Sequence, residues 1–241
     1  ICYEISQIQS RLERDATDTV TDLQATFARN AQSLLGLPND EARAGTWADE
    51  ARAMLRQRRE LVRIERRDNA MHLLDHVDTP YRQPVFDGIG HEVAQTEAAQ
   101  ACATARRSSG PVYTSSFFAP SLDGLGVEDL SLCVPLEAAG KPSGYVVASY
   151  SLHEVLNGLP AGPQTRGHEL AFTEGDGTRL AMRVSPRRGN RVFTAQHLLD
   201  LPGTTLVLVP PWIRPTFRYG CVMPLTLLVT CLNSVFCRYS A

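Results

Sequence analysis

Apolar residues recur every three or four positions from Ile5 to Leu34, through Ile8, Leu12, Ala16, Val20, Leu23, Phe27 and Ala31. Steps of that size share one helical face, and Glu13, Asp15, Asp18 and Asp22 fall elsewhere, so the pattern predicts one long amphipathic helix. Gly36 and Pro38 end it. The stretch GTWADEARAMLRQR then predicts a second helix, with Thr46 as N-cap and acidic residues in the first turns.

Beyond that helix the hydrophobic period falls from about 3.6 to 2. ELVRIERRD and AMHLLDHVD read as two strands turning at Asp68-Asn69. Pro80 and Pro84 break the chain, and IGHEVAQTEAAQACATARRSSG predicts a helix stopped at Gly110. PVYTSSFF, EDLSLCVPLEA and GYVVASYSL predict three more strands, the last two joined by the turn-rich AGKPSG. Two helices, two strands, a helix and three strands make an α+β arrangement, an antiparallel sheet with helices on one face. After the NGLPAGP linker comes a smaller unit. HELAFTEGDGTRLAMRV predicts a hairpin about Asp176-Gly177, with Leu170, Phe172, Leu180 and Met182 at alternating positions. NRVFTAQHLL and TTLVLVPPW add two strands separated by Leu201-Pro202-Gly203.

The end of the chain departs from this mixed pattern. Cys221 to Cys237 holds no charged residue, while Arg214, Arg218 and Arg238 stand just outside it and Tyr219 and Tyr239 flank it. A membrane span needs roughly 17 to 25 mostly apolar residues. Length, interfacial tyrosines and absence of charge favour a span at 219–239 over a buried core helix, Asn233 being the discordant residue. The rest has a soluble profile, with 43% hydrophobic and 21% charged residues and a net charge of -2. Without a basic excess or a basic face interleaved with aromatics, nucleic acid is not an expected partner. Ile1 is not a start methionine, and ICYEISQIQ lacks the parts of a signal peptide, so the chain reads as an excerpt. A first span ending just before Ile1 would make the chain an extracytoplasmic loop between two membrane passages. Of six cysteines, only Cys102 and Cys133 fall in the central soluble part, and spacing leaves open whether they pair.

The long Ile5 to Leu34 helix, GYVVASYSLHEVL passing from strand to short helix, and LDLPGTTLVLVPPW leading to the apolar run together resemble a known layout. It is that of the periplasmic tandem PAS-like (double Cache) sensor regions of bacterial transmembrane histidine kinases, of which C4-dicarboxylate sensors are members. The resemblance covers essentially the whole chain. It implies a membrane-proximal long helix at 1–38, a membrane-distal PAS-like sensor module at 39–160, a smaller membrane-proximal PAS-like module at 167–213 and a transmembrane helix at 219–239. It further implies small-solute sensing in the distal module, signal transfer through the helices, and placement in the bacterial inner membrane with the sensor region in the periplasm. The stripe on the long helix is longer than one module can cover, so a homodimer seam is expected on it. A structural or partner-binding ectodomain is the alternative.

Motifs for catalysis are weak. HEVAQ at 91–95 begins like HExxH but carries Gln95 where the second histidine belongs. His72 and His76 are four apart but fall in a predicted strand, where surface or hydrogen-bonded histidines are the simpler reading. SLDGLG and TEGDGT match no phosphate-binding pattern, and no GxSxG elbow accompanies Ser115 or Ser116. No catalytic residue, cofactor or metal is therefore assigned. Strand alternation groups Tyr113, Ser115 and Phe117 on one face and Tyr145, Val147 and Ser149 on another strand, aromatic rings with hydroxyls between them that suit a small-molecule cleft. The resembled sensors have their pockets on this face, which implies that Arg82, Arg106 and Arg107 meet the carboxylate of an organic acid.

Overall fold

The structure, a computed structural model, describes residues 2–38, 44–82, 91–120, 126–138, 140–159, 169–184, 192–194, 196–209 and 211–213. Its first element is α1 (Cys2–Leu35), which buries Ala16, Leu23, Phe27, Ala31 and Leu34 along the predicted stripe. α2 (Ala44–Gln57) buries Trp47, Ala51 and Leu55. Thr46 is helical there, so it is not the N-cap; a cap needs non-helical backbone.

β1 (Leu61–Arg67) and β2 (Leu73–Asp78) form the expected hairpin. α3 (His91–Ser108) follows, then β3 (Val112–Tyr113) and β4 (Phe117–Pro120). PVYTSSFF is thus two short strands, because 114–116 leave the ladder between them. The long β5 (Gly126–Ala138) and β6 (Lys141–Ser151) make the central hairpin, and α4 (Leu152–Gly158) closes the unit. The antiparallel sheet has the order β2-β1-β6-β5-β3, with β4 also on β5.

Helices cover both faces, not one as the sequence suggested. On the first, Ile64, Leu130, Leu132, Val134, Val146, Ala148 and Tyr150 pack with residues of α1, α2 and α4 in one core. On the second, Ala98, Ala101, Cys102 and Ala105 of α3 pack on Val112, Cys133, Tyr145 and Val147. A Cys102–Cys133 disulfide fastens α3 to the middle of β5. Strands buried on both sides lose the in/out alternation that would reveal their orientation.

β7 (Leu170–Thr173), β8 (Arg179–Arg183), β10 (His197–Leu201) and β11 (Thr204–Val209) form a second antiparallel sheet of order β10-β11-β7-β8, and β9 (Val192–Thr194) pairs with β12 (Pro211–Ile213). Leu170, Phe172, Leu199, Leu201, Leu206 and Leu208 belong to the same core as Leu23 and Phe27. α1 is therefore the common spine of both sheets. Among the described residues no helix is long and apolar enough to cross a membrane, and the run 219–239 lies outside them.

Candidate functional site

On β5 the odd residues Asp129, Ser131 and Cys133 share one face, opposite to Leu130, Leu132 and Val134. Register carries that face across the sheet: Asp129 lies beside Phe117 and Ser151, Ser131 beside Ser149, and Ser149 beside Arg63. α3 covers the half at Cys133, Val147 and Tyr145, where the contacts are apolar. The half at Asp129 is polar yet buried, with Asp129 0%, Ser151 1%, Ser131 3% and Ser149 6% exposed.

These groups are only partly satisfied. Ser131 and Ser149 hydroxyls are 3.0 Å apart and bonded, and the Ser131 N–H donates to Thr114 Oγ1 at 2.9 Å. Neither carboxylate oxygen of Asp129 meets a hydrogen-bond donor among the described residues, nor does the Ser151 hydroxyl have a partner there. The opposite charge facing Asp129 is Arg82, its Nη1 at 3.8 Å. Burial pushes the Asp129 carboxyl up to about 7; Arg82 opposes the shift and Glu128 adds to it. A carboxyl held without donors costs stability, and burial with a perturbed pKa makes Asp129 a functional-site candidate.

The ions beside it are arranged differently. Glu65 accepts from Arg63 Nε at 2.7 Å and from Arg67 Nε at 2.7 Å, and Arg63 Nη1 reaches Asp78 at 3.2 Å. Buried charges of this kind need partners on every side, and here they have them. This row is paired within itself, whereas Asp129 faces Arg82 at 3.8 Å without a hydrogen bond among the described residues.

The residues expected from the sequence separate into three groups. Phe117 is the strand partner of Asp129, Arg82 Nη1 lies 3.8 Å from it, and Ser149 pairs with Ser131 on the same face. Tyr145 lies on the same sheet face but under α3, where Arg106 Nη1 reaches its hydroxyl at 3.5 Å, and Arg107 is bonded to Thr104. Tyr113 is on the opposite face, its ring edge-on to Phe27 at 5.5 Å, and Ser115 is exposed between the two short strands. The expected single cleft walled by Tyr113 and Tyr145 is thus corrected: adjacent strand positions point to opposite faces, and the strand breaks at Thr114. Sequence reasoning missed Asp129, Ser131 and Ser151, whose phase within EDLSLCV reads as a solvent face.

Elsewhere the chemistry is ordinary. His72 precedes β2 and its Nδ1 sits 2.9 Å from Asp68 Oδ2, while His76 is on β2 itself. Among the described residues no group of His, Cys, Asp or Glu is placed to hold a metal ion. A cleft of about 270 Å³ opens between α2 and the edge strand, lined by Arg52, Arg56, His76, Val77, Asp78 and Pro80. It holds no orphaned buried charge, so the candidate site is assigned to the Asp129 face rather than to this concavity.

No protein-family model and no curated protein matches the chain. Solved structures do match it over most of its length. The ligand-binding domain of the Pseudomonas aeruginosa amino acid chemoreceptor PctC, solved with GABA, is 15% identical with a TM-score of 0.53, covering 84% of this chain and 99% of that one. That of the Pseudomonas fluorescens chemoreceptor CtaA, solved with L-valine, is 14% identical with a TM-score of 0.56, covering 88% and 100%. The extracellular domain of the histidine kinase vpHK1S-Z8 is 8% identical with a TM-score of 0.52, covering 86% and 93%. The chain has the fold of these receptor sensor domains, as its layout implied.

Proposed function

We propose that the chain is the extracytoplasmic sensing region of a membrane receptor, of histidine-kinase or chemoreceptor type, and that it binds a small zwitterion such as an amino acid. The observation that carries this reading is the buried Asp129 carboxyl, without a hydrogen-bond donor among the described residues and 3.8 Å from Arg82. A ligand ammonium supplies the donors Asp129 lacks, and a ligand carboxylate takes Arg82 in exchange. The serine hydroxyls of Ser149 and Ser151 orient the remainder, and Phe117 flanks it. The solved neighbours PctC and CtaA, which bind GABA and L-valine, support the ligand class. The organic acid expected from the arginines alone thereby becomes a molecule carrying both charges.

A thermal-shift screen of the chain against the common amino acids and the corresponding plain carboxylic acids tests this. A ligand at a hundredfold excess over its dissociation constant should stabilise the protein by about 2.7 kcal/mol. Arg82→Gln should weaken binding at least about tenfold, the loss of a charged hydrogen bond. Stabilisation by a carboxylic acid as strong as by its amino derivative would refute the zwitterion reading.

In the same reading 39–160 is the membrane-distal sensor module and 167–213 the proximal coupling module. The run 219–239 is the anchor in the bacterial inner membrane, and the N-terminal half of α1 is a homodimer seam. Sedimentation of the chain with and without residues 214–241 checks both: detergent dependence should vanish on truncation while self-association persists. A full chain that is monomeric and needs no detergent would defeat both assignments.

A further inference from the structure

We infer that β3 is a mechanical relay joining the floor of the candidate site to the second sheet, through a contact between Tyr113 and the Pro202-Gly203 turn. The inference rests on the sensing role proposed above for the Asp129 face, but its geometry stands by itself.

One neighbour of Tyr113 is tied to the site. The Thr114 N–H donates to the Ser131 carbonyl at 2.8 Å, and Thr114 Oγ1 accepts the Ser131 N–H at 2.9 Å. Ser131 in turn bonds Ser149 on the site floor. A displacement of β5 or β6 by a bound ligand therefore moves Thr114 with it.

Tyr113 itself is tied to the other unit. Its N–H donates to the Pro202 carbonyl at 2.7 Å, across the tip of the β10–β11 hairpin. Gly203 presses on the same strand: its φ is +96°, and a Cβ there would stand 2.5 Å from the Tyr113 carbonyl oxygen and 2.6 Å from Val112 Cγ1. Nothing larger than glycine fits that approach. A weaker link runs in parallel, from the Ser116 hydroxyl to Glu174 Oε1 at 3.4 Å. On the spine side the Tyr113 ring packs on Phe27 of α1. β3 pairs with β5 at Val112 and Tyr113, and 114–116 leave the ladder, so these contacts tie a strand of the first sheet directly to the second. Coupling requires a physical element that both regions bias, and β3 is placed to be one.

Hydrogen exchange on the full chain without ligand tests the relay, so the outcome does not depend on finding one. Four chains are compared: wild type, Ser131→Ala, Gly203→Ala and the double variant. Gly177→Ala serves as the control for backbone strain, since Gly177 has a φ of +90° in the same unit but open space around it. Ser131→Ala is expected to speed exchange of the His197–Val209 amides by roughly fivefold, the factor for one lost hydrogen bond. Gly203→Ala should speed the same amides, and adding Ser131→Ala to it should have no further effect there. Gly177→Ala should leave the Tyr113 and Thr114 amides unchanged. Should Gly203→Ala lose protection throughout α3 and β1, and so be unfolded, Thr114→Val replaces it as the break in the path, with the same non-additivity expected. Additive effects, or unchanged His197–Val209 exchange in Ser131→Ala, would overturn the relay. Ligand binding that persists in a chain with no such coupling would sink the relay alone, and coupling in a chain that binds no amino acid would sink only the sensing role.

Discussion

Asp129→Asn is expected to abolish ligand binding and at the same time to stabilise the unliganded protein. The carboxyl is fully buried, and burial raises it from 3.8 to about 7. The native state therefore keeps its proton up to about pH 7, whereas the unfolded chain loses it near 3.8. Across that window the native state binds more protons, so Asp129 makes stability fall as pH rises, and the loss is complete above the window. A shift of about three pKa units corresponds to roughly 4 kcal/mol, an upper bound for what asparagine recovers at pH 8. We expect on the order of 2–4 kcal/mol at pH 8 and little difference at pH 4. Urea unfolding at the two pH values measures it. An asparagine variant with the wild-type pH dependence, or one that still binds the ligand, would show that Asp129 is an ordinary core residue.

Removing the Cys102–Cys133 disulfide is the other large effect. The bridge joins residues 31 apart, and closing a loop of that size in the unfolded chain amounts to about 3–4 kcal/mol in the loop-entropy account. For a chain of this length that is a fall in Tm of roughly 6–15 °C. The Cys102→Ala/Cys133→Ala double variant is the right probe, because both sulfurs are buried and a reductant reaches them only on opening. The loss should be local first, with α3 exchanging faster than α1, since the bridge is what fastens α3 to β5. A double variant melting within about 2 °C of wild type would mean that packing of Ala98, Ala101 and Ala105 alone holds the helix. A stable bridge also belongs to an oxidising compartment, in keeping with the extracytoplasmic placement proposed above.

Order and type of the elements were legible in the chain because they depend on local periodicity. The stripe from Ala16 to Leu34 is the buried face of α1, the Asp68 turn joins β1 to β2, and Asp176-Gly177 joins β7 to β8. The layout was legible too, since a long helix, a larger sheet and a smaller sheet follow one another in sequence. Tertiary structure decided which faces are buried. Arg63, Glu65 and Arg67, like Asp129 and Ser131, fall at alternate strand positions that read as a solvated side, yet all five are buried. It also decided that Tyr113 and Tyr145 look away from each other, that Cys102 meets Cys133, and that the Pro202 turn lands on β3. Periodicity reports the environment of one side of one element, whereas a site is made where several elements converge. Partners 30 to 90 residues apart, such as Phe27 and Tyr113 or Tyr113 and Pro202, leave no local trace, because their contact energy is collected only after the chain has folded.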